Sequence, residues 1–252
     1  LVVDPEEGEL ASGERGVGRL AEPGRIVEAA AAVLAGTDSF AGRHIVVTAG
    51  RTEEDVDAVR FITNRSTGKM GYAVARQAAL RGAEVTLISG PTQLCAPPGV
   101  TTVPVRTVAE MRDATTQAFE STDALIMTAA VLDFRPREVS SSKIKKSADG
   151  LVLDLAPTED FLVELGARKG DRVVVGFAME TEDGLANARG KLEAKHLDLI
   201  VLNDLTVEGA GFGVDTNVVT LIGRDGPPEA LPVMQKSDVA DRILDRIGER
   251  WS

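Results

Sequence analysis

From about residue 42 onward, apolar runs alternate with segments of helical periodicity. Residues 44–50 (HIVVTAG) form a continuous apolar run that ends in glycine, which is typical of a strand buried on both faces of a sheet. In residues 67–82, Met70 and Val74 recur at helical spacing, which predicts a helix. Strands and helices in this order predict a parallel sheet flanked by helices. The same alternation continues with a strand at 83–90, a helix at 108–120 and a strand at 123–131.

The alternation is interrupted after Val131. Residues 132–150 have no clear period, and a long irregular stretch inside a compact domain is usually functional or disordered. We therefore expect an α/β, Rossmann-like three-layer fold with a mostly parallel central sheet and a long irregular flap. Regular structure then resumes, with predicted strands at 151–157, 172–181 and 197–204. Helices are predicted at 158–168, capped by Thr158, at 182–196, and at 237–251, capped by Ser237. Two further apolar segments, 218–223 and 229–235, form either a hairpin or separate strands.

Residues 1–41 differ in composition from the rest of the chain. They are rich in glycine and charge, and one short helix is predicted at 27–36. We interpret this segment as a tail or linker and place the start of the domain, 42–252, near Gly42.

Composition and charge limit the class of protein. The 252 residues carry a formal net charge of -11, and so acidic a chain is a poor match for a phosphate backbone, which argues against a nucleic-acid partner. No apolar run approaches the roughly 20 residues needed to cross a bilayer, so we expect a soluble protein without a membrane partner. The lone Cys95 cannot form an internal disulfide, which fits a cytoplasmic location. An anionic ligand would need a local basic site, and the flap gathers Lys143, Lys145 and Lys146 within four positions.

The sequence contains no complete phosphate-binding motif. The segment STGKM lacks the first glycine and the last hydroxyl of a P-loop, and TAGRTEED lacks the glycines of a dinucleotide fingerprint. However, Ser66, Gly68 and Lys69 stand at the start of a predicted helix, where free backbone N–H groups and the positive end of the dipole favour an anion. An ordinary Ser/Thr N-cap is the alternative. Arg60 and Asn64 lie just upstream and could join such a site.

Other polar residues suggest a site but leave alternatives open. Lys191 and Lys195 share one face of a predicted helix, where like charges repel unless a polyphosphate, Glu180, Glu193 or solvent neutralises them. Asp133 follows a predicted strand and either helps to carry Mg²⁺ or is an ordinary surface aspartate. Neither histidine has an obvious Ser, Cys or Asp companion, so the sequence does not indicate a nucleophilic triad.

Taken together, these segments resemble phosphopantothenate-cysteine ligase, the ligase domain of the bacterial bifunctional coenzyme A biosynthesis protein. The resemblance extends from about residue 42 to the end. The opening GVGRLAEPGRI also looks like the end of the flavin-dependent decarboxylase domain that precedes the ligase, so we interpret residues 1–41 as a linker and a C-terminal remnant of that domain. The segments that carry the resemblance are VVTAGRTEEDVDAVRFITNRSTGKMGYAVA, AAVLDFRP, KIKK, VGFAMET, KLEAKHLDLIVLND and GFGVDTN.

The resemblance implies a two-step reaction. The carboxylate of 4'-phosphopantothenate attacks the α-phosphate of CTP to give an acyl-cytidylate and pyrophosphate, and the amine of L-cysteine then displaces CMP. It further implies Mg²⁺ as cofactor, with FMN confined to the missing decarboxylase domain, and a homodimer that forms a larger oligomer through that domain.

The resemblance also assigns roles to individual residues. Lys143 and Asn64 match the catalytic positions, and Asp133 matches the metal-binding position. Arg60, Asn64, Ala129 and Ala130 match the phosphopantothenate site. The nucleotide-binding positions are Ser66, Gly68, Lys69, Met127, Thr128, Ala129, Asp133, Phe134, Lys143, Glu159, Asp160, Phe161, Leu162, Phe177, Lys191 and Lys195.

The sequence departs from the pattern of the family at several positions, and two other functions compete with the ligase. The departures are Arg51, Ala58, Leu132 and Met179, which replace small residues or prolines. One competing function is a nucleotide-binding module without catalysis, and the other is a nicotinamide-dependent oxidoreductase. The absent glycine fingerprint argues against the oxidoreductase.

Overall fold

The computed structural model describes residues 3, 5–9, 13–24, 26–27, 30, 37–147, 150–180, 183–204, 211 and 213–251. The helix predicted at 27–36 lies almost entirely outside these residues. Where the sequence indicates a tail or linker, strands β1 (Glu6–Glu9) and β2 (Arg15–Arg19) form a two-stranded antiparallel hairpin.

In the described part of the chain, the central sheet has eight strands. They are β3 (His44–Ala49), β6 (Glu84–Ser89), β7 (Val100–Pro104), β8 (Ala124–Met127), β11 (Val173–Glu180), β12 (Leu199–Asp204), β14 (Val219–Gly223) and β15 (Glu229–Ala230). Their order across the sheet is β15-β14-β12-β11-β8-β3-β6-β7. The six strands from β12 to β7 run parallel, and β14 and β15 add an antiparallel edge. The predicted α/β fold with a mostly parallel sheet is confirmed, and the segments 218–223 and 229–235 do form a hairpin.

Helices cover both faces of the sheet. On one face Val74 and Ala78 of one helix pack with Ile243 of another, and on the opposite face Met111 and Leu165 belong to a second apolar core. These two cores give the predicted three layers. The helices among the described residues are α1 (Lys69–Leu80), α2 (Val108–Phe119), α3 (Phe161–Ala167), α4 (Gly184–Ala194) and α5 (Lys236–Gly248), and a short 3-10 helix spans Asp38–Phe40.

Two of the predicted helix caps are wrong. Thr158 does not cap α3, which begins three residues later, because its hydroxyl donates a hydrogen bond of 2.6 Å to the carbonyl of Leu132. Ser237 lies inside α5, whose N-cap is Gln235. The unpredicted cap Thr107 forms a complete capping box with Glu110 at the start of α2.

The flap is anchored by short strands that the sequence pattern did not reveal. Strand β9 (Phe134–Pro136) pairs with β10 (Leu155–Pro157), so the strand predicted at 151–157 is confined to its last three residues. Beside them lies a hairpin of β4 (Glu53–Asp55) and β5 (Phe61–Thr63). Strands β13 (Thr216–Asn217) and β16 (Met234–Gln235) form a further pair. In the described part of the chain, no helix is long and apolar enough to cross a membrane.

Candidate functional site

A cavity of about 460 Å³ opens where β8, β11 and β12 end and α1 begins. Its wall joins the carboxyl ends of parallel strands to the amino end of a helix, which is where open α/β sheets bind ligands. Most predicted site residues line it, and they are Asn64, Ser66, Gly68, Lys69, Met127, Thr128, Ala129, Ala130, Asp133, Glu159, Asp160, Phe161, Leu162, Phe177, Lys191 and Lys195.

The start of α1 is open towards this cavity. Gly68 is the N-cap, with φ of 83°, and no side chain caps the helix among the described residues. Ser66 lies two residues earlier, and its hydroxyl accepts a hydrogen bond of 3.3 Å from the Gly68 N–H. The alternative of an ordinary Ser/Thr cap is therefore wrong. An uncapped helix start of this kind favours a bound anion.

Close packing holds α1 against the end of the sheet. A Cβ atom on Gly71 would lie 2.4 Å from the Thr128 hydroxyl and 2.6 Å from the Ala49 side chain. The Thr128 hydroxyl donates a hydrogen bond of 2.5 Å to the carbonyl of Thr48. The glycine therefore brings the first turn of the helix against the strand ends, where the cavity lies.

Lys69 is held at the mouth of the cavity by the loop that precedes β13. Its ammonium lies 2.7 Å from the carbonyl of Gly213 and 2.7 Å from the carboxylate of Asp215. This hydrogen bond, with the charge of Lys69, lowers the pKa of Asp215. A phosphate at the helix start would have to compete with this carboxylate for the lysine.

Asn64 uses its amide to fix the segment that follows β8. Its Nδ2 donates to the carbonyls of Ala130 at 3.1 Å and Val131 at 3.3 Å. The N–H groups of the two alanines are also occupied, because Ala129 donates to the Thr48 hydroxyl and Ala130 to the carbonyl of Gly50. Ala129 and Ala130 thus contribute small side chains rather than free donors.

The two cations at the end of α4, Lys191 in its last turn and Lys195 at its C-cap, are paired within the cavity wall. Lys191 lies 2.6 Å from the carboxylate of Glu180, and Lys195 lies 2.7 Å from that of Asp160. On the same wall, Glu159 pairs with Arg112 at 2.5 Å. Protein carboxylates therefore neutralise both lysines. Glu180 was one of the alternatives that the sequence left open, whereas Asp160 was not among them.

Three predicted residues lie outside the cavity lining. Phe134 is half-exposed at the start of β9, and Lys143 is exposed on the flap. Arg60 is also exposed, and its guanidinium donates a hydrogen bond of 3.1 Å to the carbonyl of Ile144. The structure therefore brings Arg60 next to the lysine segment of the flap, and the catalytic role of Lys143 stays a prediction.

The cavity includes functional groups that the sequence analysis missed. Asn203 is only 8% exposed at the end of β12, and its Oδ1 has no hydrogen-bond partner among the described residues. The position just inside the carboxyl end of a buried strand was a signal that could have revealed it. Asn217 and Lys236 also line the cavity, and both are buried.

Lys236 is a buried cation that organises a loop. Its ammonium donates to the carbonyls of Gly211 at 3.3 Å, Val214 at 2.5 Å and Thr216 at 2.9 Å. Burial lowers the pKa of Lys236, the nearby charge of Lys69 adds to this effect, and Asp215 opposes it. No sequence pattern signals such a lysine, because its three partners are backbone carbonyls.

The sequence profile described as the DNA/pantothenate metabolism flavoprotein C-terminal domain matches residues 40–250. The chain belongs to this family. The family's fold is confirmed by a solved C-terminal domain of a coenzyme A biosynthesis bifunctional protein CoaBC, which is 40% identical with a TM-score of 0.73 and covers 84% of this chain and 97% of that one.

Curated relatives extend the similarity. The CoaBC protein of Bacillus subtilis (strain 168) is 49% identical over 97% of this chain and 61% of its own length. A cysteine/cysteine sulfinic acid decarboxylase of an unknown prokaryotic organism is 42% identical over 98% of this chain and 70% of its own length. The chain thus spans about three fifths of the CoaBC relative. A Cab2 mutant in complex with phosphopantothenate-cysteine shares the fold at 17% identity, with a TM-score of 0.68, over 90% of this chain and 91% of its own.

Proposed function

We propose that residues 42–252 form a CTP-dependent ligase domain that joins 4'-phosphopantothenate to L-cysteine in coenzyme A biosynthesis. The observation that carries this proposal is the cavity between the uncapped start of α1 and the ends of β8, β11 and β12. This cavity offers a helix dipole, several lysines and apolar walls, which suit a nucleotide with its phosphates. The names of the CoaBC relatives support the same pathway.

In the first step, a carboxylate oxygen of 4'-phosphopantothenate forms a bond to the α-phosphorus of CTP, and the bond to the bridging oxygen breaks to release pyrophosphate. In the second step, the cysteine amine forms a C–N bond to the acyl carbon, CMP leaves with its oxygen, and the amine loses a proton. The substrates supply both attacking groups, so the protein's task is to position them and to neutralise charge.

The residues of the cavity fit these tasks. The helix start and Lys69 would hold phosphate oxygens, and Lys191 and Lys195 would exchange their protein carboxylates for the phosphates of the nucleotide. Ala129 and Ala130 leave room for the acyl group beside the Asn64 side chain. Asn203 presents an amide oxygen that has no partner among the described residues and can accept a hydrogen bond from a ligand donor.

Asp133 suits Mg²⁺ that arrives with the nucleotide. Its exposed side chain lines the cavity. Among the described residues, no cluster of three or more acidic, histidine or cysteine side chains forms a metal cage. One carboxylate fits Mg²⁺, which proteins often hold by one or two carboxylates together with substrate phosphates. When bound, the ion would neutralise phosphate charge.

We also propose that the domain is a homodimer. Large apolar side chains are exposed on the flap and its neighbouring hairpin, including Phe61 at 45%, Phe134 at 53% and Val152 at 92%. We infer that they contribute to one apolar patch, which would mark a protein interface. We assign residues 1–41 to a linker and the end of a decarboxylase domain, which would bind FMN and join the dimers into a larger oligomer.

One assay tests the ligase reaction. The purified chain is given 4'-phosphopantothenate, L-cysteine, Mg²⁺ and either CTP or ATP, and the release of pyrophosphate and CMP or AMP is followed. We expect turnover with CTP well ahead of ATP, because a larger purine would clash between Met127 and Phe177. Equal turnover with both nucleotides contradicts the specificity. Nucleotide binding without any pyrophosphate release would instead identify a module that has lost catalysis.

A further inference from the structure

A buried carboxylate outside the cavity joins the β4–β5 hairpin to the flap. Asp57 lies in the turn of this hairpin and is only 2% exposed. Its Oδ1 accepts hydrogen bonds of 2.8 Å from the N–H groups of Val59 and Arg60, which close the turn. Its Oδ2 points to the flap, where it accepts a hydrogen bond of 3.0 Å from the N–H of Ile144.

Arg60 completes the connection from the same hairpin. One guanidinium nitrogen lies 3.4 Å from Oδ2 of Asp57, and another donates to the carbonyl of Ile144 at 3.1 Å. Both the N–H and the C=O of Ile144 are therefore held by an ion pair of the hairpin. Earlier on the flap, the N–H of Ser140 donates to the carbonyl of Val56 at 3.2 Å.

The charged form of Asp57 is well supported. Burial by itself raises the pKa of this carboxyl, but the N–H groups of Ile144, Val59 and Arg60, together with the Arg60 charge, lower it overall. A charge-assisted hydrogen bond to a buried carboxylate is about twice as strong as a neutral one. The contact with Ile144 is thus a specific attachment of the flap.

Lys143 immediately precedes the residue that is held. Its own side chain is exposed, and no ion pair involves it among the described residues. Because the peptide between Lys143 and Ile144 is planar and the Ile144 N–H is fixed, the attachment restricts where the Lys143 backbone can lie. A mobile flap would have to order this lysine at each turnover, at a cost in conformational entropy.

We propose that Asp57 is a positioning residue that presents Lys143 to the reacting phosphates through the N–H of Ile144. This inference rests on the proposed function, and it adds a residue that touches neither substrate nor nucleotide. The two oxygens of Asp57 have separate tasks, since Oδ1 closes the hairpin turn and Oδ2 holds the flap.

The substitution Asp57→Asn separates these two tasks. An asparagine can keep its carbonyl oxygen on the two turn N–H groups, but its amide then faces the Ile144 N–H and the Arg60 guanidinium, which are also donors. We expect the fold to be kept and the flap to be released. The control is Asp55→Asn, which lies on the same hairpin and breaks an exposed pair with Arg106 at 2.5 Å, away from Lys143.

Limited trypsin digestion measures the attachment without using activity. We expect Asp57→Asn to accelerate cleavage after Lys143, Lys145 and Lys146 by about tenfold or more, because a charge-assisted hydrogen bond is lost, and Asp55→Asn to leave these rates unchanged. Mass spectrometry identifies the cleaved bonds. Unchanged cleavage in the Asp57 variant would overturn the attachment.

Acyl-cytidylate formation measures the positioning. In single-turnover experiments followed through pyrophosphate, which is released as the intermediate forms, we expect Asp57→Asn to slow this step about 10- to 100-fold, with no more than about a twofold further loss when it is added to Lys143→Gln. A wild-type rate, or losses that simply multiply in the double variant, would overturn the positioning role. Absence of pyrophosphate release from the wild-type protein would instead refute the proposed function itself, whereas the trypsin result would still stand.

A second variant keeps the test decisive if Asp57→Asn fails to fold. The substitution Ile144→Pro removes the donor N–H from the flap side and leaves the hairpin turn intact. We expect faster cleavage after Lys145 and Lys146, since trypsin does not cut the lysine–proline bond after Lys143, and slower acyl-cytidylate formation, as for Asp57→Asn. A wild-type rate of intermediate formation in this variant would overturn the proposal.

Discussion

Two groups of lysines in this protein have opposite surroundings. Lys69, Lys191 and Lys195 line the cavity, and each ammonium lies within 2.7 Å of a carboxylate oxygen of the protein. Lys143 and its flap neighbours, Lys145 and Lys146, are exposed, and no ion pair involves any of them among the described residues. The cavity lysines are positioned but neutralised, whereas the flap lysines carry an uncompensated charge on an irregular segment.

This difference assigns different tasks to the two groups. A cavity lysine gains little net electrostatic energy from a phosphate, because it gives up one anion for another. A flap lysine brings a new charge, and at 4 Å with an effective dielectric near 20 one unit charge pair is worth about 4 kcal/mol. We therefore expect the cavity group to determine shape and placement, and the flap group to supply the charge that accelerates the reaction.

The substitution Lys143→Gln should have the largest effect of the changes considered. It removes the charge but keeps much of the length of an exposed side chain, so the fold and any dimer should survive. We expect pyrophosphate release to fall by about 100- to 1000-fold, the loss typical of a single donor that stabilises transition-state charge. Acyl-cytidylate should be undetectable by mass spectrometry.

The neighbours of this lysine provide matched controls. Lys145→Gln and Lys146→Gln remove the same charge from the same segment, and we expect much smaller losses because only Lys143 matches the catalytic position, whereas its neighbours can share a more diffuse electrostatic role. Equal losses for all three variants would show a diffuse electrostatic effect. If Lys143→Gln forms the intermediate at the wild-type rate, the lysine segment of the flap is an ordinary solvated surface without a catalytic role.

The substitution Lys236→Met tests a lysine that is buried and bonded to carbonyls, in contrast to the exposed lysines of the flap. Lys236 is 8% exposed, and its ammonium satisfies three backbone carbonyls, so methionine fills the space but leaves buried acceptors unpaired. We expect a loss of about 2 kcal/mol or more in the free energy of unfolding, which lowers Tm by roughly 4–8 °C. Thermal unfolding measures this effect, with Ser237→Ala as the control on the next residue. A stability equal to that of the wild type would show that Lys236 does not hold the loop.

Much of the fold could be predicted from the sequence, because buried parallel strands and amphipathic helices leave strong periodic signals. The order of the helices and of most sheet strands from His44 to the last helix follows from that pattern, but the pattern did not predict β7, the edge strand of the parallel sheet. The hairpin of β4 and β5 could not be predicted in this way, since strands of three residues are too short to show a period. The cap at Thr158 was wrong because a tertiary contact, the carbonyl of Leu132, competes for its hydroxyl.

The candidate site was predictable where chemistry follows local position. Ser66, Gly68 and Lys69 stand at the start of a helix, and the structure does place an uncapped helix terminus in the cavity wall. The carboxylate partners of the lysines were not predictable from spacing. Asp160 lies 35 positions before Lys195 in the sequence, and only the fold brings the start of α3 and the end of α4 together, so that the two side chains lie 2.7 Å apart.

The substitution Asp215→Asn should have the smallest effect, and it tests whether the neutralisation of a cavity lysine matters. Asp215 is largely exposed, with 78% of its side chain accessible, so removing its charge should hardly change stability near neutral pH. The pKa of Asp215 is lowered in the folded state, and the pair therefore contributes to stability above the ordinary carboxyl pKa and loses that contribution as the pH falls through the lower, folded value.

In the Asp215→Asn variant, Lys69 keeps the carbonyl of Gly213 as a partner but no longer has to leave a carboxylate when a phosphate binds. We expect CTP to bind up to about fivefold more tightly at low salt, with the gain disappearing as the salt concentration rises, because exposed ion pairs are worth at most about 1 kcal/mol and are screened. Calorimetric titration of CTP into the wild type and the variant at two salt concentrations measures this. Weaker binding by Asp215→Asn would show that the carboxylate places Lys69 rather than competing for it, and the cavity lysines would then depend on their partners for orientation.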